Sequence, residues 1–263
     1  MRRHIRMAGL CLSAAVAAMA AATTVSAQAA PPEFGRCVPA TGHTGEYKGK
    51  ICLAPAGGKG AYNWMPEPGP SPTYSGVGGK VSLETAGRQV ITCAAATFEG
   101  TYTGAKTETV TVDLVGCILS SSPSQQKCQT LPAKEGEIEA SLEGEIGFIR
   151  SGEKLLVGLD LKAKSPSTVF ATFQCGKLPE TGPSGAIEGS VIAPIKPIDR
   201  ATETFHLQYK VTAGKQAVEQ FEGGPTDTLT VKLLEGTETK TESIGLRTIV
   251  EDENAEPVEL KAK

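Results

Sequence analysis

Four glutamates in one segment could supply the acid and the base of a hydrolase. They are Glu137, Glu139, Glu143 and Glu145, and alternate side chains of an extended strand share a face. Paired carboxylates of this kind cleave glycosidic bonds. The same residues also fit a solvated strand face, because apolar side chains occupy positions 138, 140 and 142. Sugar clefts need stacking aromatic rings, and the chain has only one Trp and five Tyr. A secreted, glycosidase-like hydrolase using paired glutamates of segment 137–145 is therefore the alternative function.

Nucleophilic and metal chemistry have little support. Beyond residue 29 only His43 and His206 could act as a histidine base, and no Gly-x-Ser-x-Gly segment accompanies them. The Cys-x-x-Cys spacing typical of zinc sites is missing from the sequence. The run 251–254 carries four oxygen-bearing side chains without the spacing of a calcium loop, and we expect it to be solvated. We predict no catalytic residue, no metal and no cofactor.

The aromatic segment 62–66 is the best candidate for a binding patch. Tyr62 and Trp64 lie two residues apart in a proline-rich context, and Tyr and Trp are enriched at the energetic centres of interfaces. The alternative is that Trp64 covers an open end of the core, since most Trp side chains in folded domains are largely buried. Tyr62 and Trp64 are the binding residues predicted here.

Six cysteines follow residue 29, and an even number in an exported chain predicts three disulfides. They are Cys37, Cys52, Cys93, Cys117, Cys128 and Cys175. Strand parity places Cys93 and Cys175 on apolar faces, where one bridge could join two packed layers. We therefore favour the pairs 37–52, 93–175 and 117–128. The alternative joins 93 to 117 across a hairpin and 128 to 175.

Residues 1–29 are typical of a secretory signal peptide. Three arginines precede an apolar run over 8–22, and small residues fit cleavage after Ala27 or Ala29. Removal of this segment takes away three arginines and no acid, so the formal net charge moves from −3 to −6. A mildly acidic chain is a poor nucleic-acid binder, and no later apolar run is long enough to span a membrane. We predict a secreted or cell-envelope-associated protein.

From residue 76 onward the dominant hydrophobic period is two. The clearest segment, 205–211, is apolar at odd positions and polar at even ones, and segments 155–161 and 229–233 behave alike. Strict alternation indicates half-buried antiparallel strands. About ten such segments, separated by Gly, Pro, Ser or Thr, predict an all-β antiparallel sandwich or flattened barrel over 76–263.

Residues 30–75 have a different composition. The segment is rich in Gly and Pro, and its prolines disfavour central strands. We expect a loop-rich N-terminal arm, fixed by the 37–52 disulfide, that precedes the sandwich. The predicted organisation is a signal peptide (1–29), this arm (30–75) and a β-sandwich domain (76–263).

Several short segments together resemble a family of secreted proteins found in soil actinobacteria. The N-terminal ones are 32–37 (PEFGRC), Tyr47-Lys48, Cys52 and 62–64. The later ones are 90–93, 102–107, 115–117 and 221–225. The resemblance covers nearly the whole exported chain and implies export and a single β-rich unit. It implies no catalytic residue and no ligand.

These observations favour a non-catalytic function. The sequence predicts a disulfide-stabilised scaffold without a coherent catalytic set. We expect a secreted or envelope-associated structural or binding module, whose partner is an extracellular protein or a glycan. A hydrolase that uses the glutamates of segment 137–145 is the alternative function.

Overall fold

The structure is a computed structural model that describes residues 30–69, 72–151, 154–176 and 182–262; the predicted signal peptide lies outside these ranges. Its strands in chain order are β1 (Glu33–Pro39), β2 (Gly45–Tyr47), β3 (Pro55–Gly60), β4 (Tyr62–Pro66), β5 (Thr73–Gly78), β6 (Val81–Thr85), β7 (Val90–Cys93), β8 (Ala95–Tyr102), β9 (Thr107–Val115), β10 (Ile118–Leu119), β11 (Cys128–Gln129), β12 (Glu137–Ser151), β13 (Lys154–Ala163), β14 (Val169–Cys175), β15 (Ser184–Glu188), β16 (Ser190–Lys196), β17 (Ala201–Tyr209), β18 (Val211–Thr212), β19 (Lys215–Gln216), β20 (Thr230–Glu235) and β21 (Glu238–Lys261). One 3-10 turn spans Thr41–His43. No helix in the described ranges is long and apolar enough to cross a membrane.

Eight antiparallel strands close into a barrel. The pairings run β5–β8–β9–β12–β13–β16–β17–β21 and return from β21 to β5. Closure leaves no unpaired strand edge in this ring. The prediction of an all-β antiparallel sandwich or flattened barrel is confirmed.

A second layer of strands packs beside the barrel and shares β21 with it. Its pairings run β11–β14–β15–β20–β21–β6–β7–β10. A single bridge between Ile118 and Lys127 then joins β10 back to the chain just before β11. Because β21 is 24 residues long, it pairs with the second layer through its first half and with the barrel through its second.

One apolar core runs through both layers. The alternation of β17 places Phe205, Leu207 and Tyr209 in this core, each at most 3% exposed. Residues of both layers line an apolar internal cavity of about 40 Å³. Its apolar lining offers water almost no hydrogen-bond partners, so this space is a gap in the packing of the core.

The expectation of a loop-rich arm is wrong for segment 33–66, which forms four strands. They continue the sheet outward from β21 in the order β1, β4, β2, β3. Glycines that suggested loops lie where two strands come close: a Cβ on Gly45 or Gly60 would overlap the backbone of the neighbouring strand. The predicted boundary at residue 76 falls inside β5.

Two of the three favoured disulfides are wrong. The structure contains Cys37–Cys52, as predicted, with Cys93–Cys117 and Cys128–Cys175, the alternative pairing. Cys128 and Cys175 lie directly opposite each other on β11 and β14. Cys117 continues the β7–β10 register, in which Thr92 opposes Ile118, and so faces Cys93. Both bridges therefore join neighbouring strands of one layer rather than two stacked layers.

Candidate functional site

The four glutamates of β12 lie on the outside of the barrel. Their neighbours Ile138, Leu142 and Ile146 point inward and are 1% exposed. A Glu143 carboxylate oxygen lies 3.7 Å from the Lys162 ammonium, and a Glu137 oxygen lies 3.6 Å from that of Lys134. These positions correspond to the solvated strand face that the sequence analysis kept as the other interpretation of the four glutamates.

The two histidines lie on separate elements. His43 is exposed in the 3-10 turn. His206 is exposed on β17, with its Nδ1 atom 3.5 Å from a carboxylate oxygen of Glu251 on the adjacent strand. The structure therefore does not bring the two histidines into one site.

Trp64 and Tyr62 lie on β4, and the Trp64 ring already has a cationic partner within the chain. The Lys261 ammonium lies 4.7 Å from the Trp64 ring centroid and 4.8 Å from that of Tyr47, and it donates a hydrogen bond to the Tyr47 hydroxyl. We call Tyr47, Trp64 and Lys261 the aromatic clasp. A Cβ on Gly35 would overlap the indole, so the ring fits closely over β1.

The clasp connects the end of β21 to the N-terminal strands. Cation–π contacts are worth ~0.5–2 kcal/mol depending on exposure, and Tyr62 and Trp64 are both half-buried. The geometry supplies a structural role for Trp64, while binding by Tyr62 and Trp64 stays a prediction. Sequence reasoning missed Tyr47 and Lys261 as partners, because their proximity depends on the pairing of β1 with β21.

A cluster of polar side chains lies inside the barrel, where apolar residues would be expected. It consists of Tyr74, Tyr102, Glu108, Asp252 and Asn254, each between 3% and 8% exposed. Tyr74 donates a 2.8 Å hydrogen bond to Glu108, and Tyr102 donates a 2.6 Å hydrogen bond to Asn254. We call these five residues the polar cluster.

Three inward-facing glycines make room for the polar cluster. A Cβ on Gly76 would overlap the Asp252 carboxylate, and one on Gly100 would overlap the Tyr74 ring. A Cβ on Gly144 would lie 2.8 Å from the Glu108 side chain. Because side chains at these positions would displace the cluster, the glycines and the polar groups form one packing unit.

Burial controls the ionisation of both carboxyl groups. It raises the pKa of Glu108 to about 8, although the hydrogen bond from Tyr74 opposes the shift and the charge of Asp252 adds to it. Burial also raises the pKa of Asp252 to about 7. Neutral forms of both groups are therefore substantially populated at pH 7.

A carboxyl group with a pKa near 8 could transfer protons, but access decides whether it does. The Phe34 ring is fully buried and packs 4.6 Å from the Tyr102 ring, while Tyr102 packs 5.2 Å from Tyr74. Every side chain of the polar cluster is at most 8% exposed, so the cluster is an internal part of the fold rather than an open catalytic site.

The sequence contained a signal for this cluster. Glu108 is in phase with Val110, Val112 and Leu114, which form the inward face of β9. Asp252 and Asn254 are likewise in phase with Val250 on β21. The expectation that residues 251–254 are solvated is therefore wrong for Asp252 and Asn254, because alternation applies to polar residues as well as to apolar ones.

The described residues contain no group of three or more His, Cys, Asp or Glu side chains placed to hold a metal ion. Comparisons of the chain with protein-family models, with curated proteins and with solved structures each found no match.

Proposed function

We propose that this chain is a non-catalytic structural or binding module of the extracellular space or the cell envelope. Its three disulfides suit an oxidising compartment. The partner is an extracellular protein or a glycan. The alternative is a glycosidase-like hydrolase that uses the glutamates of β12. It would act in the same compartment but would cleave its ligand rather than only bind it.

The observation that carries the proposal is where the described carboxyl groups lie. The two with the most strongly raised pKa, Glu108 and Asp252, are buried inside the barrel. Burial also raises the pKa of Asp160, opposite Glu145 of β12, to about 6, but this side chain is only 8% exposed. The glutamates of β12 lie outside it, and two of them are close to lysines. Acid–base catalysis of hydrolysis needs a perturbed carboxyl group and a second carboxylate in one accessible cleft.

A substrate screen tests the chemical half of the proposal. The purified, disulfide-bonded protein is assayed against a broad panel of glycosides and esters, beside a variant in which Glu137, Glu139, Glu143 and Glu145 are all changed to Gln. We expect no turnover by either protein. Turnover by the native protein that the variant lacks would establish the hydrolase and overturn the proposal.

A retention assay tests the binding half. The protein is incubated with whole cells or washed wall fractions of its host and then sedimented. We expect retention that is saturable and independent of hydrolysis. Failure to be retained on any fraction would leave no basis for a binding module, and unchanged retention of a Tyr62→Ala/Trp64→Ala variant would exclude these two side chains as the contact.

A further inference from the structure

The hairpin that joins β2 to β3 differs in charge from the rest of the chain. Residues 47–66 carry three lysines, Lys48, Lys50 and Lys59, and no Asp or Glu, in a chain of formal net charge −3. All three lysines are exposed. We call residues 48–54 the hairpin tip.

Two large aliphatic side chains are exposed between these lysines. Ile51 is 40% exposed and Leu53 is 59% exposed, whereas Cys52 between them is 3% exposed. Each Å² of apolar surface that these side chains bury on binding stabilises the complex by ~25 cal/mol. Two neighbouring exposed aliphatic groups beside two lysines are therefore a candidate contact surface.

The tip has a fixed conformation. The Cys37–Cys52 disulfide ties it to β1. Within the tip, the Lys48 amide donates a 2.9 Å hydrogen bond to the Ala54 carbonyl, and the Cys52 amide donates a 3.0 Å hydrogen bond to the Gly49 carbonyl. A surface that is already ordered loses little conformational entropy on binding.

The tip also lies among the N-terminal strands rather than on the barrel itself. The strand order β21, β1, β4, β2, β3 places the β2–β3 hairpin at the outer side of the N-terminal strands. Charges farther apart than about 8 Å are largely screened at physiological ionic strength. The charges that a surface approaching the hairpin meets first are therefore the local ones, which are Lys48 and Lys50 of the tip, Lys59 of β3 and one acid, Glu46 of β2.

We propose that the hairpin tip binds the surface of an anionic lipid bilayer. Lysines beside the headgroups and aliphatic side chains at the boundary with the acyl chains are the arrangement that such an interface favours. An acidic protein surface would also attract the lysines, but it would need an apolar pocket shaped to fit Ile51 and Leu53. The tip has no feature that favours such a pocket over the continuous apolar layer of a bilayer. The proposal rests on the envelope association proposed above and adds a lipid contact to it, separate from the protein or glycan partner.

Vesicle co-sedimentation tests it. The purified, disulfide-bonded protein is mixed with vesicles of phosphatidylcholine alone or of phosphatidylcholine with an equal part of phosphatidylglycerol. We expect binding to the anionic vesicles only, weakened by added salt. Each lysine near an anionic surface contributes about fivefold to the partition coefficient, so Lys48→Gln/Lys50→Gln lowers it by about 25-fold. We expect Ile51→Ser/Leu53→Ser to lower it by about tenfold or more.

Matched controls come from the barrel. Val77 and Ile249 are 62% and 57% exposed, so Val77→Ser/Ile249→Ser removes comparable aliphatic surface elsewhere. Lys154→Gln/Lys164→Gln removes two exposed charges elsewhere. Both controls should bind like the native protein. Equal loss in tip and control variants, or no binding to anionic vesicles, overturns the proposal. Retention on wall fractions without vesicle binding overturns only the lipid contact and leaves the binding module intact.

Discussion

At the scale of single residues, the stability of the barrel interior depends on hydrogen bonds between buried polar groups, which replace the bonds these groups would make with water. Glu108 and Tyr74 are both buried, and each satisfies the other through one 2.8 Å bond. A buried polar group left without a partner costs ~1–3 kcal/mol. The pair is thus compatible with an apolar core only while both members are present.

Tyr74→Phe tests this dependence. The substitution keeps the ring and removes the hydroxyl that donates to Glu108, so we expect a loss of about 1–3 kcal/mol in the free energy of unfolding. Urea denaturation followed by fluorescence measures it. The control is Tyr62→Phe, a half-buried tyrosine outside the cluster, which should change the stability little; an equal loss there would contradict the assignment.

Gly100→Ala tests the space that glycine provides for Tyr74. A Cβ on Gly100 overlaps the Tyr74 ring, while one on Gly79 meets nothing within 4 Å. We expect Gly100→Ala to lower the free energy of unfolding by about 1–3 kcal/mol through overpacking. Gly79→Ala should stay within about 0.5 kcal/mol of the native protein. Thermal or urea unfolding of both variants checks the difference, and similar values for the two would refute it.

At the scale of strands, the sequence predicted faces much better than partners. The odd positions of 205–211 are buried as expected, but Leu155, assigned to the same face as Leu159 and Leu161, is 53% exposed because it lies near the end of β13. Alternation reports which side of a strand is apolar; it carries no information about which strand lies beside it. The disulfide error has this origin, as does the failure to foresee the clasp of Lys261 with Tyr47 and Trp64.

The two disulfides of the second layer flank the short junction between β10 and β11. Cys93–Cys117 lies at β7 and β10, and Cys128–Cys175 joins β11 to β14, on either side of the single Ile118–Lys127 bridge. We therefore infer that these bridges reinforce the attachment of β10 and β11, each only two residues long, to the layer.

Replacing both members of one bridge tests this inference. Loop closure over separations of 24 and 47 residues predicts losses of about 3 and 4 kcal/mol for Cys93→Ala/Cys117→Ala and Cys128→Ala/Cys175→Ala. Hydrogen exchange should show faster opening of β10 and β11 in either variant, while the barrel strands keep their protection. Loss of protection throughout the barrel would show that the layers do not unfold separately. Peptide mapping of the unreduced protein checks the pairing itself.

At the scale of the whole molecule, buried carboxyl groups should set how stability depends on pH. Burial raises the pKa of Glu108 to about 8 and that of Asp252 to about 7, from ordinary values near 4. Between about pH 4 and pH 8 the folded state therefore binds more protons than the unfolded state. Stability must fall as pH rises through this window. The contribution is complete below pH 4 and is lost above pH 8.

We expect the free energy of unfolding to fall by several kcal/mol between pH 5 and pH 9, since one pKa unit corresponds to ~1.4 kcal/mol. Urea titrations at a series of pH values measure this slope. In Glu108→Gln/Asp252→Asn neither group can ionise, so the fall in stability between pH 5 and pH 9 should become clearly smaller. The part that stays comes from Asp160 and Glu259, whose pKa values are raised by burial to about 6 and about 7. Glu139→Gln, which changes an exposed carboxylate on β12, should leave the slope as it is. A native protein whose stability rises from pH 5 to pH 8 would show that the interior carboxyl groups are hydrated, and the closed barrel described here would then be incorrect around the polar cluster.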